Sequence, residues 1–225
     1  MAQTCERLGA FVALLAFCFS GSLSLVAIFT SHWFDATVLT RNGTQMAGGH
    51  INAGLFWGKR TLESSGGLLT EDFSVVTDVR NGISFMARPI WALCIFFAAL
   101  GMLWVAVGCA VAFSATITRR PESIAGPIGI YLWSLLALVS FGSCLLIYYV
   151  QFIASMTENV LTDSYLKTGI STKDQTRLGT SFYLMLASLA MLYFPPTFVF
   201  FTHQQQQKTN RIRQYKFCDP NIMMY

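Results

Sequence analysis

The sequence predicts a mostly α-helical membrane protein: a bundle of four membrane-spanning helices that carries one small antiparallel β-sheet on an outward-facing loop. Three observations predict it. Hydrophobic residues make up 54% of the chain and charged residues only 12%, about half the charge of an average soluble domain. Four long runs carry no Asp, Glu, Lys or Arg, and each is long enough to cross a hydrocarbon core of about 30 Å as a helix. Between the first and second runs lies the one long polar interval, 31–88, which holds the turn and strand signals.

Residues 1–7 are a short polar N-terminus, and 8–30 form the first span. A cleaved signal peptide is the competing reading, but its apolar region covers only about 7 to 15 residues and ends in small ones. Here the run is longer and bulky His32-Trp33-Phe34 follow it, so a retained helix is expected. The loop 31–88 is too long to lack structure of its own. Within it, 34–40 reads as a strand ending in Arg41-Asn42-Gly43, where Asn-Gly signals a hairpin. The next strand candidates are 51–57 and 73–79, separated by the flexible Ser64-Ser65-Gly66-Gly67. The second span is 89–117, opened by Pro89, a residue that costs little at the first helical position. A connector at 118–127 leads to the third span, 128–155. A polar loop at 156–178, in which no secondary structure stands out, leads to the fourth, 179–203. Pro195-Pro196 should kink that last helix, because each removes a backbone donor. Residues 204–225 are the tail.

Four crossings put both termini on one face. That face holds Arg7, Arg119, Arg120, Lys208, Arg211, Arg213 and Lys216 against Glu6, Glu122 and Asp219, whereas acids balance bases on the other. Basic residues next to spans mark the cytoplasmic side, so both termini are expected to be cytoplasmic. Arg80 and Arg88 near the second span pull mildly the other way. The sole N-x-Ser/Thr acceptor, Asn42-Gly43-Thr44, falls in the loop assigned outside, which makes Asn42 the glycosylation candidate.

Two motifs stand out. Trp33 and the segment Gly54-Leu55-Phe56-Trp57-Gly58 either anchor the loop at the membrane interface, where Trp is enriched, or fold the loop back so that Leu55 and Phe56 pack near Trp33 while Gly54 and Gly58 permit tight turns. Gly126-Pro127-Ile128-Gly129-Ile130-Tyr131 opens the third helix. Proline suits a helix start, and Gly129 lets a neighbouring helix approach closely.

The order of these landmarks carries a resemblance. Trp33 followed by Gly54-Leu55-Phe56 is similar to the signature of the claudin-like tetraspan superfamily. With Ala36-Thr37-Val38-Leu39, Gly58, Gly126-Pro127-x-Gly129-x-Tyr131, Ser181-Phe182-Tyr183 and the terminal Met224-Tyr225, the chain more specifically resembles the clarin family over nearly its full length. The extracellular cysteines that follow the tryptophan signature in the superfamily are missing, so the resemblance is to a divergent member. It implies a multi-pass plasma-membrane protein without enzymatic activity that organises membrane partners, with roles in sensory hair cells and synapses, in hair-bundle maintenance and in actin-linked organisation. A claudin-like adhesion or barrier protein and an auxiliary subunit of an ion channel are the other functions open to such a tetraspan.

The tail interleaves Lys208, Arg211, Arg213 and Lys216 with Tyr215 and Phe217, which suits either adsorption to anionic lipid or ordinary topology-setting charge. Ile222-Met223-Met224-Tyr225 fits a PDZ-type groove by strand addition. Cys5, Cys109 and Cys218 are candidates for palmitoylation near the inner leaflet, against the plain reading of inert thiols. Catalytic, cofactor and metal chemistry finds no motif. His32, His50 and His203 are scattered, no phosphate-cradling loop is present, and no Asp, Glu, Lys or Arg sits inside a span to mark a proton or ion path. The expected partners are membrane lipids and other membrane proteins, not nucleic acid.

Overall fold

The computed structural model describes residues 2–40, 44–64, 67–82, 85–117, 127–161, 165–166, 169–201, 204 and 207. In chain order these form α1 (Ala2–Phe29), β1 (Phe34–Leu39), β2 (Gln45–Ala53), β3 (Trp57–Ser64), β4 (Gly67–Ser74), α2 (Val75–Asn81), α3 (Arg88–Ile117), α4 (Pro127–Gln151), β5 (Thr176–Leu178) and α5 (Thr180–Met191). Among the described residues, four helical segments are long and apolar enough to cross a membrane: Arg7–Phe29, Arg88–Ile117, Ile128–Met156 and Thr180–Phe201. The third includes a π-helical turn, Phe152–Met156, that continues α4.

Proline chemistry shapes the last span. After α5 the chain makes a turn at Leu192 and Tyr193 before helix resumes at 194–201. Pro195 and Pro196 offer no N–H to the carbonyls of the preceding turn, and the chain tightens there into i→i−3 bonds, Leu192 N–H to Leu189 O at 3.2 Å and Tyr193 N–H to Ala190 O at 3.2 Å. The helix is therefore interrupted just before the paired prolines.

In the bundle, α1 packs between α3 and α5, and α4 packs on α3 and α5. Close approach rests on small residues, as in membrane helices generally. A Cβ on Gly108 would lie 2.6 Å from the Phe17 ring, and one on Gly101 would run into the Phe141 ring. Between α1 and α5 the Ser20 and Ser188 hydroxyls sit 2.9 Å apart, and each also donates to the other's carbonyl, at 3.0 and 2.9 Å. Both serines are fully buried, so neither hydroxyl is left without a partner in a medium that offers no water.

At one end of the bundle stands a five-stranded antiparallel sheet in the order β4-β3-β2-β1-β5. The β1–β2 pair runs from Phe34↔Ala53 to Leu39↔Gln45, with a bulge between Thr37 and Leu39. It closes at Thr40 N–H to Thr44 O, 2.8 Å, on either side of the Asn-Gly signal, whose residues 41–43 lie outside the described ones. Phe34, Ala36 and Val38 of β1 and Ile51 and Ala53 of β2 are buried on one face, the period-2 pattern of a half-buried sheet.

The other two strand candidates need correction. Of 51–57 only Ile51–Ala53 continues β2, because Gly54 N–H bonds back to Trp57 O at 2.9 Å and turns the chain, and Trp57 already begins β3. Of 73–79 only Phe73 and Ser74 are strand. Ser74 then caps α2 through its hydroxyl, and Gly82 ends that helix in the left-handed conformation, φ 72°, the geometry glycine tolerates best. Ser64 and Gly67, the outer residues of the stretch expected to be a flexible separator, end β3 and begin β4, which pair from Trp57↔Ser74 to Ser64↔Gly67, and residues 65–66 lie outside the described ones. The second loop contributes β5, which completes the sheet against β1.

Candidate functional site

Trp33 and the Gly54–Gly58 segment of the first loop converge where the sheet meets the bundle, and Trp33 lies at their centre. A helix leaves its last four carbonyls without intrahelical partners. The Trp33 indole fills one such vacancy by donating from Nε1 to Ala27 O at 2.7 Å. Thr30 serves the same turn, its hydroxyl donating to Val26 O at 2.7 Å and lying 2.7 Å from Ser181 Oγ on α5. The Trp33 backbone donates to Ala53 O of β2 at 3.0 Å and accepts from Gly179 N–H at 2.9 Å, just ahead of α5. Its ring, 0% exposed, meets Tyr148 of α4 edge-on at 4.8 Å and Phe182 of α5 at 6.4 Å.

The Gly54–Gly58 segment forms the second half of this junction. Leu55 is buried, and its carbonyl accepts from the Trp91 indole of α3 at 2.9 Å. The Phe56 carbonyl accepts from Val75 N–H, also at 2.9 Å. The Phe56 ring stacks on Phe29, 5.6 Å between centroids, and packs against the core cluster to which Trp33 belongs. The glycines act differently from the expectation. Neither Gly54 nor Gly58 has a positive φ; what they lack is room. A Cβ on Gly54 would run into Thr30 O, and one on Gly58 would sit 2.6 Å from Ala53 Cβ and 2.6 Å from Phe73 Cζ.

At the start of α4, Gly129 is buried, and Tyr131 is half-buried against the core. Farther along, Trp104 and Trp133 stack at 5.4 Å across α3 and α4. Cys109 faces α1, with its sulfur 3.8 Å from that of Cys18. Gly126, Asn42, Cys218 and Ile222, Met223, Met224 and Tyr225 lie outside the described residues, as do the side chains of Cys5 and Pro127.

Two of the three histidines that looked scattered in the sequence meet at one carboxylate. His32 Nδ1 is 3.2 Å and His50 Nε2 is 3.6 Å from the same Asp35 oxygen, and Arg177 lies opposite Asp35 in the β1–β5 register. Hairpin pairing brings His50 here, and no local motif announces it. Among the described residues no group of three or more His, Cys, Asp or Glu has the geometry to hold a metal ion. Arg60, on the β3 face toward the core, is another residue the sequence did not single out. Its guanidinium is held between the Phe73 and Tyr165 rings, 4.8 and 4.9 Å from their centroids, a cation–π arrangement. Arg88 donates to Val79 O and Arg80 O, so it caps the carbonyl end of α2 and has a local reason to stand where the charge bias disfavours it.

The fold and this junction define a class: a multi-pass membrane protein with four apolar helices and a small antiparallel sheet, the claudin-like tetraspan architecture. Within that class the chain is similar to clarin-3 of Homo sapiens, 23% identical over 196 residues that cover 83% of this chain and 84% of that protein. No protein-family model matches.

Proposed function

We propose that this protein is a clarin-like tetraspan of the plasma membrane that organises membrane partners and has no catalytic activity of its own. The observation that carries the reading is the extent of the similarity to clarin-3. It takes in 83% of the chain and 84% of that protein. The junction chemistry supports it, since every singled-out residue there serves packing or backbone hydrogen bonding. In this reading both termini are cytoplasmic, the sheet is extracellular, Asn42 carries the glycan, and Ile222-Met223-Met224-Tyr225 engages a PDZ-type groove. The sites of action are sensory cells and synapses, through actin-linked or hair-bundle organisation.

Proximity labelling from a tagged N-terminus in the native tissue tests the function. Enrichment of plasma-membrane and actin-linked proteins is the expected outcome, and a labelled set drawn from secretory-pathway residents refutes it. Topology has its own test. Asn42→Gln should abolish any glycosidase-sensitive mobility shift, and tags at Ala2 and Tyr225 should both be inaccessible to antibody on intact cells. A shift that survives the substitution, or tags found on opposite faces, overturns the assigned sides.

A further inference from the structure

Beside the buried Trp33, the same junction leaves a second aromatic group uncovered. Phe29 and Trp57 are 52% and 51% exposed, and Phe56 between them is half-buried. The three rings form one cluster, Phe29 stacking on Phe56 at 5.6 Å and on Trp57 at 6.5 Å between centroids, with Phe56 and Trp57 tilted against each other at 5.7 Å. Neighbouring Leu55 is buried while these rings are turned outward, so the turn has sorted its apolar side chains into two groups. Aromatic side chains are among the largest apolar surfaces a chain can expose, and a contiguous exposed patch of them marks an interaction site.

The rings' position indicates what covers them. The first span, Arg7–Phe29, has 23 residues, about 34 Å of helix at 1.5 Å per residue, against a hydrocarbon core of about 30 Å. Centred in the bilayer, its last residue, Phe29, lies within about 2 Å of the core boundary. The headgroup layer adds about 5 to 7 Å beyond that boundary. The Phe56 and Trp57 rings lie 5.6 and 6.5 Å from the Phe29 ring, and the turn that carries them packs through Gly54 against Thr30 and Ser31, past the end of α1, so they fall near the core boundary or within that layer. The turn is also fixed to the bundle, through Leu55 O to Trp91 on α3 and through Gly54 against Thr30 at the end of α1. Its rings cannot swing away from the membrane while the spans stay in it.

We infer that the Phe29–Phe56–Trp57 cluster is a lipid-docking surface, seated at the boundary of hydrocarbon core and headgroups in the leaflet at the sheet end of the bundle. It holds the β2–β3 corner down on the bilayer beside α1. The partner is the phospholipid surface itself, and indole and phenyl rings are the side chains that favour that layer. The inference does not depend on which leaflet this is, so it stands apart from the assigned sidedness and from the clarin-like function.

The test uses the full chain in nanodiscs of unlabelled phosphatidylcholine or of phosphatidylcholine brominated near the carbonyl end of its acyl chains. The Trp57 contribution is the emission of the wild type minus that of Trp57→Phe, a substitution at an exposed ring that leaves the turn hydrogen bonds in place. Loss of most of this difference emission in brominated lipid, with little quenching by aqueous acrylamide, is the expected result. Quenching by acrylamide and not by brominated lipid means the corner faces water and overturns the inference. Quenching by neither means that protein, such as a second copy of the chain, covers the ring, and this also overturns it. Circular dichroism of Trp57→Phe identical to the wild type secures the subtraction. If the spectra differ, Trp57→Tyr replaces it under the same criteria.

Discussion

Trp33 and Tyr148 share a ring contact of 4.8 Å inside the junction, but their polar atoms fare differently, and conservative replacement separates the two. The Trp33 indole N–H has Ala27 O at 2.7 Å. The Tyr148 hydroxyl is buried and has no hydrogen-bond partner among the described residues. Trp33→Phe removes a buried hydrogen bond and part of a ring. Ala27 O keeps the longer bond from the Thr30 hydroxyl at 3.2 Å, so the loss should be about 1 to 3 kcal/mol, less than that of an orphaned carbonyl plus a large cavity. Trp33→Ala empties the site and should cost about 3 to 5 kcal/mol. Tyr148→Phe keeps the ring and deletes a hydroxyl whose burial is uncompensated, so it should be neutral or stabilising, by up to about 1 kcal/mol. The measurement is reversible unfolding in mixed micelles with increasing sodium dodecyl sulfate, followed by circular dichroism. A Tyr148→Phe variant that loses as much stability as Trp33→Phe would refute the reasoning, because the hydroxyl must then have a partner.

Other consequences are simpler to read. Gly54→Ala forces a Cβ onto the Thr30 carbonyl and within 3.0 Å of Ser31 Cα, both backbone atoms, whereas at Gly142 the nearest atom to a new Cβ is Leu189 Cδ1 at 3.6 Å. The first change should therefore lower the thermal midpoint and the detergent-extracted yield, and the second should leave both unchanged. Ser20→Ala should cost less than about 1 kcal/mol in the same micelle titration, because the Ser188 hydroxyl still reaches Ser20 O at 2.9 Å and interhelical bonds in membranes average about 0.6 kcal/mol. Copper phenanthroline should join Cys18 to Cys109, whose sulfurs are 3.8 Å apart. The bond would appear as a reductant-sensitive link between fragments cleaved in the 31–88 loop, and its absence would refute the α1–α3 register.

The bundle was legible because its signal is composition. A run such as 89–117 with no charge has few places to go but lipid, and no long-range contact is needed to see that. The first hairpin was legible for a similarly local reason, since Phe34-Asp35-Ala36-Thr37-Val38-Leu39 ends at an Asn-Gly step. The second hairpin was not, because its inward positions are Gly58, Arg60 and Leu62, and an arginine at a core-facing position breaks the alternation that announces a strand. Among the described residues, the rings of Phe73 and Tyr165, one from β4 and one from the second loop, hold that arginine there. The helix α2 did carry a readable signal, Ser74 before it and Gly82 after it, which its two valines, Val75 and Val76, masked as strand. β5 is three residues long and exists because β1 offers it an edge, a cause that no reading of 176–178 by itself can reach. The same applies to the meeting of His32, His50 and Asp35.

Those nonlocal ties determine how the sheet is held. Trp33 joins three spans at one residue: α1 through Ala27 O, α4 through the Tyr148 ring and α5 through the Phe182 ring. The fourth, α3, reaches the sheet through the Trp91 indole on Leu55 O. The sheet therefore rests on all four helix ends by hydrogen bonds or ring contacts, with Gly54 and Gly179 pressed against backbone carbonyls that leave no slack. Because packed interfaces shift between discrete arrangements more readily than they deform, a partner that altered the crossing of α1 and α5 would have to break the Trp33 contacts or carry the sheet along. A lateral partner that changes that crossing is thereby coupled to the surface the sheet presents.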